Sequence, residues 1–375
     1  MNRRFFTLSL LTICCFALRG QDFTASLTGG YLCSTAPRFS YIQTHTIGFD
    51  AAVSWDASGD TYWKQWWRRP TYGVRTNFTY VEDGIAGSRF GIAGFMQSPL
   101  WRPKKINLGV DDPINPPHFF YWEADVGFSL YSKPFEFTHD ENNEFIGTFL
   151  NCMLQLGLGY RYTFEDQSAL QLGLKIVHTS NGQLTTHNQG LNYLQWELGY
   201  RLAPGETQDH SAKAAESPDS VKADWHPSLY LAYAPSVVLT RNSHSTGRYY
   251  HAYTAQLGGR IHMNECLSFG LTADMMYNYS HAELYRIRGI DYHHKFYLGS
   301  SVMVEPRWGP VSLRAAVGWY LFGLRSELVD TPYYERFGAF YHFGRQGNQA
   351  VGVAMKLHKA RIDYIEWTYS IDLFK

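Results

Sequence analysis

Leu154-Gln155-Leu156-Gly157-Leu158-Gly159-Tyr160-Arg161-Tyr162-Thr163-Phe164 alternates without a break. The even positions are all aliphatic or aromatic; the odd ones are Gln, Gly, Gly, Arg and Thr. Successive side chains of a strand point to opposite faces, so this stretch has one apolar face and one small or polar face. A helix would repeat its apolar positions every three to four residues, and this segment does not.

The same two-residue period recurs on both sides. Tyr72, Val74, Phe78 and Tyr80 alternate with Gly73, Arg75, Asn77 and Thr79, and Tyr253, Ala255, Leu257 and Ile261 with Thr254, Gln256, Gly258 and Arg260. Ile365, Trp367, Tyr369, Ile371 and Leu373 alternate with Glu366, Thr368, Ser370 and Asp372. Strands are expected near 24–32, 44–55, 71–81, 88–98, 120–132, 147–164, 168–180, 192–202, 226–240, 249–262, 266–280, 294–305, 310–322, 336–344, 349–358 and 361–374. The first two and the 336–344 segment carry the weakest pattern.

Composition narrows the class. The 375 residues carry no net charge, which argues against a nucleic-acid partner. Aromatic residues reach 17% and charged residues only 18%, below the usual quarter. Mean hydropathy is nevertheless −0.30, and no segment beyond the N-terminus has the roughly 18 unbroken apolar residues of a membrane helix. Arg3 and Arg4, the mostly apolar run Phe5 to Ala17 and the small Gly20 have the layout of a secretory signal peptide over residues 1–20. Beyond it stand Cys33, Cys152 and Cys266, which suggest neither a disulfide framework nor a metal site. A soluble β-sandwich alternates too. Here, however, the apolar rows often end in Tyr, Trp or Phe, as at a membrane interface, and the opposite rows mix Gly with charges of both signs. The expected fold is all-β: a single transmembrane antiparallel β-barrel over 21–375, with about 12–16 strands and about 14 as the central value. If the C-terminus is periplasmic, residues 133–146 and 181–191 lie outside. Residues 203–225, rich in Ala, Ser, Asp, Glu, Pro and Lys, then form a flexible periplasmic connecting loop.

One stretch breaks the lipid-facing pattern. Leu170, Leu172, Leu174 and Ile176 form an apolar row, and His178 and Ser180 continue it. On the following strand Asn192 leads the row Leu194, Trp196, Leu198 and Tyr200. Polar groups facing lipid cost free energy, so this cluster calls for a reason. Residues two apart on a strand stand roughly 6.8 Å apart, close enough for His and Ser side chains to lean together. A hydroxyl beside an imidazole is an activated nucleophile, and neighbouring amides can hold an oxyanion. On the outside of a barrel, such a site has membrane lipid as its substrate.

The run His178-Thr-Ser180-Asn181, followed after a short loop by Asn188-Gln-Gly190-Leu-Asn192, resembles the active-site segment of the lipid A 3-O-deacylases. The resemblance centres on residues 147–202. It implies an outer-membrane esterase acting on the 3-O-linked acyl chain of lipid A within lipopolysaccharide, with no cofactor. Ser180 maps onto the nucleophile and His178 onto the base, while Asn181 and Asn188 map onto the oxyanion-holding pair. The family's third triad residue is Glu, and Asn192 stands at that position. An amide can orient a histidine tautomer but offers no charge to the imidazolium. The family's barrels also have about half this length, so the extra strands are expected to widen the cylinder. Two alternatives remain: a porin or channel whose lumen matters, and a catalytically silent structural barrel.

Other polar groups have plainer readings. Trp63, Trp66, Trp67, Arg68 and Arg69 fit an aromatic girdle, and His293 and His294 a strand end. His187 and the trio Asp140, Glu141 and Glu144 fit solvated loops, and Arg102, Lys104 and Lys105 a periplasmic connection. Arg89 and Glu197 have lumen parity.

Overall fold

The computed structural model describes residues 21–33, 44–57, 61–82, 86–101, 118–136, 143, 145–182, 190–202, 225–239, 249–287, 289, 296–323, 331–358 and 361–374. Among these residues the alternation produces sixteen strands, but they close twice rather than once. The first sheet runs through β1 (Asp22–Cys33), β2 (Thr44–Asp56), β3 (Thr71–Val81), β4 (Arg89–Trp101), β5 (His118–Tyr131), β6 (Leu150–Thr163), β7 (Ala169–Ser180) and β8 (Leu191–Leu202). Every neighbour is antiparallel, and β8 pairs back onto β1, with Leu27 opposite both Phe49 and Leu198. The second sheet runs through β9 (His226–Leu239), β10 (Tyr249–Asn264), β11 (Leu267–Asn278), β12 (Phe296–Trp308), β13 (Val311–Phe322), β14 (Tyr333–Phe343), β15 (Gln349–His358) and β16 (Arg361–Leu373). It closes through β16 on β9, with Ile371 opposite Leu231. Among the described residues two short α-helices, α1 (Tyr62–Trp66) and α2 (Tyr279–Ile287), lie in connections.

The expected single, widened cylinder is therefore corrected to two narrow ones, and the extra strands widen nothing. The break falls between β8 and β9, where the long polar connection stood; residues 203–224 lie outside the described residues, as do residues 1–20.

The charges of the first lumen give the physical reason for early closure. An eight-stranded cylinder is just wide enough for its inward side chains to fill. Lys175 Nζ lies 2.7 Å from Glu197, 3.2 Å from Asp50 and 3.4 Å from Glu123. Arg75 donates to Glu123 at 2.5 and 2.7 Å and to Asp125 at 3.0 Å. These contacts join β2, β3, β5, β7 and β8 across the lumen, which a cylinder twice as wide would not permit. Above this layer lies an apolar one: Leu32, Val81, Tyr131, Phe145, Ile146, Met153, Val177, Leu191 and Tyr193 pack into one buried cluster. The second lumen repeats the polar scheme. Arg336 pairs with Asp274 at 2.6 Å and Glu366 at 3.0 Å, and Arg314 and Arg260 each reach Glu305 at 2.9 Å.

The outer walls are apolar, as the parity requires. Ile176, Leu174 and Leu158 are each about three-fifths exposed. Tyr162, Phe164 and Tyr200 cluster where β6, β7 and β8 end at the rim opposite the β7–β8 connection. Trp67 packs edge-on against Trp122 of β5, and Ser98 Oγ donates to the Trp67 carbonyl. Cys33, Cys152 and Cys266 are free thiols.

Candidate active site

The site is built at the end of the outward row of β7. Inward residues Gln171, Lys175, Val177 and Thr179 are buried, while Leu170, Leu172, Leu174 and Ile176 face out. His178 and Ser180 continue the outward row, as alternation demands. The register places His178 opposite Asn192 on β8 and Leu154 on β6, and Ser180 opposite Cys152. Asn192 in turn faces Cys33 across the β8–β1 seam. The row ends differently from how it begins: Ile176 is about three-fifths exposed, His178 is half-buried and Ser180 is 3% exposed.

His178 Nδ1 lies 2.8 Å from Asn192 Oδ1. An amide oxygen only accepts, so the bond places the ring proton on Nδ1 and leaves a lone pair on Nε2. His178 Nε2 and Ser180 Oγ are both buried atoms without a hydrogen-bond partner among the described residues. Each such atom costs about 1–3 kcal/mol, and here two complementary ones stand on the same row. Nε2 and Oγ are not hydrogen-bonded to one another; such bonds are often long before substrate binds and tighten in the complex.

The chain then turns sharply. Gly182 and Gly190 both have left-handed backbone, with φ of 66° and 71°. At Gly190 the need for glycine is double. A Cβ there would stand 2.9 Å from His178 Cε1 and 3.0 Å from the Thr179 carbonyl oxygen. Gly190 is fixed by its N–H, which donates to the Phe145 carbonyl at 3.1 Å. Asn143 shapes that connection, its Oδ1 accepting from the N–H groups of Phe145 and Ile146.

Of the sequence-derived residues, the fold brings His178, Ser180 and Asn192 onto one outward patch, with Asn181 directly after Ser180 and buried. Asn188 lies outside the described residues, as do His187, His293, His294, Asp140, Glu141, Glu144, Arg102, Lys104 and Lys105. Glu197 points into the lumen on Lys175, and so cannot replace the missing carboxylate beside His178. Arg89 is also in the lumen, its guanidinium 4.8 Å over the Tyr193 ring. The sequence did not reveal the contact of Phe145 with Gly190, nor that of Gly190 with the imidazole. The only trace was a glycine two residues before Asn192.

The fold is that of a transmembrane β-barrel protein of the outer-membrane type, with the polar row of His178, Ser180 and Asn192 on the outer wall of its first barrel. Residues 47–201 match the family model described as lipid A 3-O-deacylase (PagL), and residues 225–375 match that of the acyloxyacyl hydrolase C-terminal domain. The chain belongs to the lipid A 3-O-deacylase family, one barrel falling under each model. No curated protein sequence matches it. Among solved structures, the outer membrane enzyme PagL is 18% identical over 49% of this chain and 99% of its own, with a TM-score of 0.32. A mutant of the Rh. blastica porin is 8% identical over 94% of this chain and 99% of its own, at 0.19. The siderophore receptor PirA from Pseudomonas aeruginosa is 8% identical over 94% of this chain and 60% of its own, at 0.25. These three likenesses are too low to bear on function.

Proposed function

We propose that the first barrel hydrolyses an acyl ester of lipid A, the 3-O-linked chain by the family's specificity, with Ser180 as nucleophile and His178 as general base. The observation that carries this reading is the pair of unpartnered atoms, His178 Nε2 and Ser180 Oγ, on an outward row whose imidazole is already held through Nδ1 by Asn192.

Ser180 Oγ attacks the ester carbonyl carbon while its proton passes to His178 Nε2. Amide donors at Asn181 and Asn188 hold the resulting oxyanion. The intermediate collapses, the C–O bond to the sugar breaks, and the sugar oxygen takes the proton from His178. Water, deprotonated by the same imidazole, then cleaves the acyl-serine and releases the fatty acid. Asn192 keeps Nδ1 protonated throughout. The mechanism calls on no cofactor. The acyl chain has a path ready along Ile176, Leu174, Leu156 and Leu194, each about half exposed or more on the wall beside the site. In this reading residues 1–20 are removed on export, and the β7–β8 connection faces the cell exterior, where lipopolysaccharide resides. A channel reading is weaker, because paired charges fill both lumens.

Mass spectrometry of lipid A from cells producing the wild type or Ser180→Ala tests the proposal. Loss of one acyl chain is expected with the wild type alone. Identical acylation in both, with both barrels folded, overturns it.

A further inference from the structure

Behind the outward row, on the same two strands, stands a second set of hydrogen-bonding groups that the reaction does not use. Thr179 sits between His178 and Ser180 and points inward. Tyr193 adjoins Asn192 and also points inward. Tyr131 of β5 reaches both: its Oη lies 2.5 Å from Thr179 Oγ1 and 2.9 Å from Tyr193 Oη. All three are buried to 1% exposure or less. Arg89, stacked on the Tyr193 ring, donates to Thr79 Oγ1 at 2.9 Å and so holds the tyrosine from the far side.

We infer that Tyr131, Thr179 and Tyr193 are positioning residues, a buried clamp that sets the spacing of the β7 and β8 tips and thereby the geometry of His178, Ser180 and Asn192. The inference rests on the proposed function. The strand tips need such a clamp because regular pairing of β7 with β8 ends at Thr179 opposite Leu191, one residue short of Ser180. Beyond that point the nucleophile keeps its pairing with Cys152 on β6 but has none with β8, and Thr179 is the last residue of β7 tied to β8 before it. Alternation makes the coupling direct: a shift of the Thr179 backbone moves His178 and Ser180 together, on the other face. A misplacement of about 1 Å can cost roughly a hundredfold in rate, while the apolar wall that receives the acyl chain lies farther down the row and would not change.

Purified full-length protein is compared as wild type, Thr179→Val, Thr179→Ser and Tyr193→Phe. Folding is checked by the faster gel migration of unheated barrels. kcat and KM are measured on lipid A, with the rate of Ser180 labelling by a fluorophosphonate as a second readout. Thr179→Val and Tyr193→Phe should lower kcat and labelling about tenfold or more with KM within about twofold, and Thr179→Ser should restore most of the rate. Wild-type kcat in both variants overturns the clamp, as does a rise in KM that accounts for the loss, or failure of Thr179→Ser to rescue. Should the wild type label at Ser180 but leave lipid A intact, the substrate reading falls and the labelling ratios still decide the clamp. Without labelling or hydrolysis in the wild type, both fall.

Discussion

Asn192 is the residue whose replacement gives the most information, because among the described residues it supplies the only hydrogen bond to the His178 ring, at 2.8 Å. Asn192→Leu removes that bond and leaves Nδ1–H facing an apolar side chain. A neutral hydrogen bond contributes about 0.5–1.5 kcal/mol net, and the orphaned donor adds about 1–3 kcal/mol. A ring free to rotate also loses its preferred tautomer, so the rate should fall roughly 10- to 100-fold. Asn192→Glu asks the opposite question. The imidazolium formed in the transition state would then meet a carboxylate, with charge centres about 4 Å apart. At an effective dielectric of about 20 this attraction is worth about 4 kcal/mol. Desolvation of the carboxylate against the wall, and a side chain one methylene longer, remove part of it. A net gain of about 1.4–2.7 kcal/mol, or 10- to 100-fold in kcat, is expected. The assay is release of fatty acid from purified lipid A by refolded protein in detergent, followed by mass spectrometry under single-turnover and steady-state conditions. Unchanged kcat in folded Asn192→Leu would refute the reasoning outright, since the bond would then do nothing for the ring. An inert wild type rescued by Asn192→Glu would identify a site silenced by one amide.

Three further perturbations probe the frame around that bond. Gly190→Ala forces a Cβ to within 2.9 Å of His178 Cε1 at a residue with φ of 71°; the left-handed strain alone is about 1–2 kcal/mol, and activity should drop at least about tenfold while unheated gel mobility stays that of a folded barrel. Lys175→Met leaves Asp50, Glu123 and Glu197 without their shared cation; a loss of about 3–5 kcal/mol should appear as a lower urea midpoint in detergent micelles. In the β6–β7 turn, the Ser168 hydroxyl and N–H donate to Asp166 and hold its carboxyl below the ordinary value. A lowered folded-state pKa gives stability present above the unfolded value, about 3.9, and lost as pH falls through the folded one. Asp166→Asn should therefore lower the apparent Tm at pH 7 and have no effect once the wild-type carboxyl is protonated.

The strands were legible because their signal is local. All sixteen expected segments form, including the weak ones at β1, β2 and β14, since each needs only its own alternation to bury one row and expose the other. The outward placement of His178, Ser180 and Asn192 was legible for the same reason. Closure was not. Whether Leu191–Leu202 pairs with Asp22–Cys33 or with the next strand in sequence is a choice among partners far apart in the chain, and a two-residue period is identical for all of them. The trace of the true answer was the 203–225 connection, too long for a turn between neighbouring strands and flanked by eight segments on each side. Gly190 against the imidazole and Tyr131 beneath Thr179 were equally hidden, because each depends on which distant strand or loop comes to lie beside β7.

The width of the barrel matters to the site even though the site lies outside it. Barrel diameter grows roughly linearly with strand number. In a cylinder of fourteen strands or more, Lys175 and Arg75 would face water, and the back of β7 would have no opposing wall to rest on. In a cylinder of eight, Lys175 meets three carboxylates from three other strands, and above it Tyr131 spans from β5 to both β7 and β8. A packed interior transmits displacement instead of absorbing it. The narrow lumen thus does for an outward-facing row what a globular core does for a cleft: it gives two side chains on the lipid side of a single sheet a rigid backing.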